Sequence, residues 1–180
     1  SECLCSDNRN EYLTQEEIEG ELKQAFGLKR VLWVDSGSLS GDDTDSHIDI
    51  LARFCDPETI AYLKSDNPKD PDYESLMNME AQLQSFRTLD GKPYRLVPLP
   101  KPEQMFLDDY PLPASYANFL IINGAVLVPG SGSELDEVAR TRLQEVFPDR
   151  EVIVIDCRPL LSGHGGLHCV TMQFPEGWLE

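Results

Sequence analysis

Residues 116–155 read YANFLIINGAVLVPGSGSELDEVARTRLQEVFPDREVIVI. Two β-rich runs, Tyr116–Ile122 and Ala125–Val128, come first. A helix follows from about Glu134 to Phe147, with Ser133 as N-cap and Pro148 as its stop. Leu135, Val138, Ala139, Leu143 and Val146 fall on one face of it. The strand Val152–Ile155 closes the stretch. The order is strand–strand–helix–strand. Working backwards, the same order recurs as Ile48–Phe54, Thr59–Lys64, a helix over Asp72–Phe86 with the stripe Leu76, Met79, Leu83 and Phe86, and Tyr94–Pro98. The two helix centres lie about sixty residues apart, which marks an internal repeat. Several of these strands are nearly continuous apolar runs, so burial on both faces is expected.

Ahead of these two units stand a helix over Thr14–Phe26 and a strand at Val31–Val34. Thr14 and Glu17 form a capping box, Ile18, Leu22, Ala25 and Phe26 share a face, and Gly27 ends the helix. No strand pair precedes it, so this unit reads as cut. Behind them a strand over Leu167–Gln173 carries Cys169. The fold class is therefore α/β, with about two and a half units. A single unit cannot cover both faces of its sheet, so neighbours should pack around a common axis. Pro98–Pro113 reads as an irregular surface loop that could act as a lid.

The chain has 180 residues, 41% of them hydrophobic and 26% charged, and a net charge of −17. That composition is globular. No run of about eighteen apolar residues occurs, so no membrane span is expected. The acidic balance argues against nucleic acid and anionic membrane partners and suits a cationic ligand. Five cysteines, Cys3, Cys5, Cys55, Cys157 and Cys169, match neither a disulfide framework nor a zinc site, which points to a reducing compartment such as the cytoplasm.

Three stretches could carry chemistry. The first is GDDTDSHID, Gly41–Asp49. On a strand His47 and Asp49 would project to one face, where a carboxylate favours the imidazolium. The pair could serve as a general acid/base with its orienting partner, or the segment could be an Asp-rich turn entering a solvated strand. The second is SGHGGLHCVTMQ, Ser162–Gln173. Its glycines let backbone approach a ligand closely, and Cys169 could be a thiolate favoured by His47, His168 or a bound cation. A tight turn before a core strand is the alternative. His164 and His168 lack a third neighbour in sequence, so no metal site is expected. The third is Asn118, which interrupts an apolar strand; it needs hydrogen-bond partners, either to hold a loop or to line a site.

Together GDDTDSHID (Gly41–Asp49), LPASYANFLIINGAVLVP (Leu112–Pro129), FPDREVIVIDCR (Phe147–Arg158), GGLHCVTMQFP (Gly165–Pro175) and the opening CLCSDNRN resemble the agmatine deiminase family, which includes bacterial peptidylarginine deiminases. The resemblance runs along nearly the whole chain. It implies a guanidine-modifying hydrolase with a five-fold pseudosymmetric α/β propeller, often called a pentein, built from the unit read above. It also implies Cys169 as nucleophile, His47 as general acid/base and Asp49 as a guanidinium-binding carboxylate. The resemblance further implies that Asp43 contacts the substrate and that Asn118, Gly165 and Gly166 lie on the substrate side. It implies a small guanidino cation as substrate, agmatine first, in polyamine biosynthesis from arginine. By the same resemblance the expected route passes through a covalent thiouronium and uses no cofactor or metal. Amidino transfer and a non-catalytic cation-binding piece are the alternatives.

The chain departs from the family pattern in several features. The chain supplies just over half the length five units need, and a Trp-x-Arg-Asp-like motif is absent. The expectation is a single domain's C-terminal portion over residues 1–180, completed by the missing N-terminal half or by self-association. Met172 also stands where the family has Gln, and the Gly-rich turn contains His164.

Overall fold

The computed structural model describes residues 1–42, 46–174 and 176–177. Two short helices open the chain, α1 (Asp7–Asn10) and α2 (Gln15–Phe26). The Thr14 side chain accepts the Glu17 N–H, and the Glu17 carboxylate reaches back to the Thr14 N–H, completing the capping box. Gly27 sits at φ 64° and accepts the left-handed stop. The expected apolar face of α2 is not buried as a stripe. Only Ile18 is buried, Leu22 is half-buried, Ala25 is exposed and Phe26 is 72% exposed.

The two repeat units form in the expected order of elements, each with a shorter first strand. The first is β1 (Ala52–Asp56), β2 (Thr59–Lys64), α3 (Tyr73–Ser85) and β3 (Arg95–Pro100). β1 pairs antiparallel with β2, and β2 pairs parallel with β3, from Thr59 opposite Arg95 to Lys64 opposite Pro100. A hairpin then intervenes, β4 (Met105–Leu107) and β5 (Tyr110–Leu112). The second unit is β6 (Leu120–Ile122), β7 (Ala125–Gly130), α4 (Leu135–Val146) and β8 (Glu151–Asp156), followed by the turn helix α5 (Arg158–Leu161). Its pairing repeats the first: β6 antiparallel to β7, β7 parallel to β8. The middle strands β2 and β7 are buried along most of their length, as their apolar runs require.

Each unit has its own helix-on-sheet core. Leu76, Met79 and Leu83 of α3 pack on Ile60, Tyr62 and Leu63. Ala139 and Leu143 of α4 pack on Val126, Val128 and Val152, but Val138 turns outward. The second core also takes in Ala61, Val97 and Leu99 from β2 and β3, so the units share an apolar seam. A buried hydrogen bond from the Ser115 hydroxyl to the Ile50 carbonyl, 2.6 Å, ties them beside the seam.

Four expected strand segments are corrected. Val31–Val34 is extended but pairs with no strand among the described residues; the Ser1 ammonium and the Gln82 amide take the Val34 and Trp33 carbonyls instead. Ile48–Ile50, Tyr116–Asn118 and His168–Val170 are 3-10 turns. Pro98–Pro113 is not an irregular lid: its centre is the β4–β5 hairpin, closed by Asp108 and Asp109, both at positive φ. Gly41 packs under this hairpin so closely that a Cβ would lie 2.2 Å from the Pro111 carbonyl oxygen. No helix among the described residues is long and apolar enough to cross a membrane.

Glu134 rather than the expected Ser133 is the N-cap of α4, though the Ser133 hydroxyl accepts the Leu135 N–H at 3.1 Å. Asp136 does more. Its carboxylate accepts the Ser131 N–H (2.9 Å), the Gly132 N–H (2.9 Å) and the hydroxyl of the fully buried Tyr116 (2.6 Å). Partial burial pushes this carboxyl up, yet the Tyr116, Ser131 and Gly132 bonds outweigh it and hold the acid below its ordinary range. A carboxyl depressed in the folded state stabilises above its unfolded pKa, and that stabilisation is lost as pH falls through the folded value. Asp136→Asn should therefore cost about 2 kcal/mol near neutral pH, because its amide would face the Gly132 or Ser131 N–H. Urea unfolding of both proteins checks this: the gap should close in acid, and a gap independent of pH would contradict it.

Candidate active site

The three turns that replaced expected strands meet. The Asn118 side chain stands at their centre. Its Nδ2 donates to Asp49 Oδ2 at 3.0 Å, and its Oδ1 accepts the His168 backbone N–H at 2.8 Å. Asn118 thus bolts the turn bearing Asp49 to the turn bearing Cys169. It is 1% exposed, and these bonds satisfy its buried amide. Cys169 Sγ lies 3.4 Å from Asn118 Nδ2 and 3.7 Å from Asp49 Oδ2, and the residue is exposed. The glycines permit the approach. A Cβ on Gly166 would fall 2.2 Å from Asn118 Oδ1, and one on Gly165 would touch the Cys169 Cβ at 3.4 Å. Of the expected site residues, Asp49, Asn118, Gly165, Gly166 and Cys169 therefore converge. Asp43 lies outside the described residues.

His47 is a separate matter. The expected strand, with His47 and Asp49 side by side, does not form, because the 3-10 turn rotates them apart. The carboxylate of Asp49 instead meets His168 Nδ1 at 2.7 Å. His47 Nε2 lies 2.8 Å from Arg9 Nη2. A guanidinium only donates, so Nε2 accepts and the ring proton of the neutral tautomer sits on Nδ1. His47 and Asp49 nonetheless line one cleft of about 450 Å3, together with Cys3, Leu4 and Trp33. His168 and Arg9 were the partners the residue pattern hid. The His168–Cys169 adjacency was a signal for the first. Nothing local pointed to Arg9, 38 positions before His47.

Two of the other cysteines, Cys55 and Cys157, sit in packed surroundings. Burial pushes the Cys55 thiol up to about 11, and burial also raises Cys157. Among the described residues no three His, Cys, Asp or Glu side chains are placed to hold one metal ion. What the cluster can do chemically is present an exposed thiol beside a carboxylate, with an imidazole in the adjoining cleft. Those are a nucleophile, an anionic anchor for a planar cation, and a proton carrier.

Known proteins share this arrangement of segments. Agmatine deiminase from Pseudomonas fluorescens is 31% identical over 192 aligned residues, which cover 97% of this chain and 52% of that protein. The solved structure of a candidate arginine deiminase from Porphyromonas gingivalis superposes with a TM-score of 0.95 at 56% identity, covering 98% of this chain and 52% of that one. A C. jejuni agmatine deiminase carrying a Cys→Ser substitution, solved with substrate bound, gives 0.88 at 38% identity over 94% of this chain and 49% of its own. The chain spans about half the length of the relatives it matches. Residues 1–175 match the model of the Porphyromonas-type peptidyl-arginine deiminases, and with so nearly complete a match the chain belongs to that family.

Proposed function

We propose that this chain is the catalytic half of a guanidine deiminase that hydrolyses agmatine to a ureido product and ammonia. The observation that carries the reading is the contact of an exposed Cys169 thiol with the Asp49 carboxylate at the edge of a cleft also lined by His47. The relatives named as agmatine deiminases, one of them solved with substrate, support the choice of substrate.

A guanidinium carbon is a poor electrophile because its charge is delocalised. Asp49 would hold it in plane and turn its carbon toward sulfur. Cys169 loses its proton to His47 and attacks, forming a C–S bond. The imidazolium returns that proton to the departing nitrogen, which leaves as ammonia. A covalent thiouronium remains on Cys169. His47, neutral again, takes a proton from water as the water oxygen adds to the same carbon. Collapse breaks the C–S bond while the added hydroxyl loses its proton to solvent; the ureido product departs, and the Cys169 thiolate takes back the proton held by His47. Since Nδ1 carries the ring proton, His47 accepts at Nε2, and the Arg9 bond there has to open for the transfer. Asp43 would reach the far side of the substrate, and Asn118, Gly165 and Gly166 shape the near wall.

The full fold is a five-unit pentein propeller. The rest of it comes from the length the relatives carry beyond the matched half, or from a second copy of this chain. The placement is cytoplasmic, in putrescine and polyamine formation. Incubating the chain with agmatine, free arginine and a peptidyl-arginine tests the assignment by ammonia release and ureido colour. Agmatine should give both signals fastest. Faster turnover of the peptide would reassign the substrate, and product only with an added amine would make it an amidinotransferase. A folded chain that binds agmatine and releases nothing would be a cation-binding module.

A further inference from the structure

A site expected to bind a cation already has one built beside it. Arg53 is on β1, four residues after Asp49, and is half-buried. Its guanidinium donates to the backbone carbonyl of Phe119 and lies over the Phe119 ring, 5.0 Å from the centroid. Phe119 directly follows Asn118, the residue that joins the Asp49 and Cys169 turns. Arg53 does not line the 450 Å3 cleft, so it does not compete for the place of a substrate guanidinium.

We infer that Arg53 is a positioning residue with a fixed charge: it fixes the turn that presents Asn118, and its cation sustains the Cys169 thiolate against the neighbouring Asp49 carboxylate. The groups around this thiol are few. Asp49 and the neutral Asn118 amide touch it, and its own turn contributes His168, whose ring is engaged with Asp49. His47, bonded to Arg9, is across the adjoining cleft. Asp49 opposes a second negative charge 3.7 Å away. Arg53, half-buried against Phe119, supplies a compensating positive charge on the turn that carries Asn118. Through the Phe119 carbonyl the guanidinium is held one residue from Asn118, whose Nδ2 lies 3.0 Å from Asp49 Oδ2 and 3.4 Å from Cys169 Sγ; burial disfavours the Arg53 charge, and the neighbouring negative charges, Asp49 first, favour it. Cys55 on the same strand does not neutralise it, since that thiol, at about 11, stays protonated near neutrality.

The inference rests on Cys169 being the nucleophile of the proposed reaction, but its test does not need turnover. The rate of Cys169 alkylation by iodoacetamide, followed against pH by peptide mass spectrometry, reads the thiolate directly. Arg53→Gln keeps a donor for the Phe119 carbonyl and removes the charge. Its alkylation midpoint should move up by about one pH unit or more, so that alkylation near neutrality slows about tenfold. Arg53→Lys keeps the charge and should keep the wild-type midpoint. Equal midpoints in all three proteins would reduce Arg53 to packing. A shift of equal size in Gln and Lys would assign the effect to guanidinium geometry rather than charge and would also overturn the inference. Should Arg53→Gln not fold, Arg53→Met takes its place: it also removes the charge and should show the same upward shift, and a wild-type midpoint there would overturn the inference.

Discussion

Cys169→Ala should abolish agmatine turnover and leave the fold untouched. The expected loss is at least about 10^3-fold in kcat, because among the described groups bonded to Asp49 the Cys169 thiol alone can form the covalent intermediate, and without it water must attack a resonance-stabilised cation unaided. The fold should not respond. Cys169 is exposed, lies on a 3-10 turn rather than a core strand, and contributes to no apolar cluster. Its contacts are sulfur hydrogen bonds of 3.4 and 3.7 Å, which are weak, so stability should stay within about 0.5 kcal/mol of the parent. Ammonia release and the urea midpoint are the paired measurements. Residual turnover within tenfold of the parent would remove Cys169 from the nucleophile's place. A binding module makes the opposite prediction for its own readout: agmatine affinity survives the change, and there is no rate to lose.

The repeat was legible because its cause is local. β2 and β7 are covered on both faces, so their sequences are apolar runs, and α3 and α4 each show one stripe because each covers one sheet. The site was legible in its residue types but not in its backbone. Ile48–Asp49, Tyr116–Asn118 and Leu167–Val170 carry the β-branched and aromatic residues of strands. They are turns because their bonding runs to distant partners instead of a neighbouring strand: Ser115 to Ile50, Asn118 to Asp49, His168 to Asn118. Sequence separations of 65, 69 and 50 residues leave no mark on a local pattern. The same blindness misassigned the partner of Asp49. Spacing two apart made His47 look adjacent, whereas His168, 119 positions away, is the imidazole that arrives. In α2 the error ran the other way: a good amphipathic pattern with an intact capping box buried only Ile18, since among the described residues little packs on its remaining apolar side chains.

Asp49→Asn should be nearly as damaging as removal of the sulfur, for a reason that separates structure from chemistry. Asp49 Oδ2 is reached by Asn118 Nδ2 at 3.0 Å, His168 Nδ1 at 2.7 Å and the Cys169 thiol at 3.7 Å. A carboxylate oxygen can face three donors; an amide cannot do so either way round. With its oxygen kept in place, the Asn loses the charge that would anchor a guanidinium. With its nitrogen there, N–H groups confront Asn118 and His168. The cost to stability should be about 1–3 kcal/mol, the range for a charged hydrogen-bonding group lost from a partly buried site. The cost to kcat/KM should be far larger, about 10^3-fold or more, since both the anchor and the orientation of carbon toward sulfur go together. Binding can be isolated from chemistry by titrating agmatine into Cys169→Ala with and without the second change. The Asn version should bind at least about tenfold more weakly. Equal affinity in the two would mean that Asp49 serves Asn118 and His168 alone, and that the guanidinium is held elsewhere in the cleft.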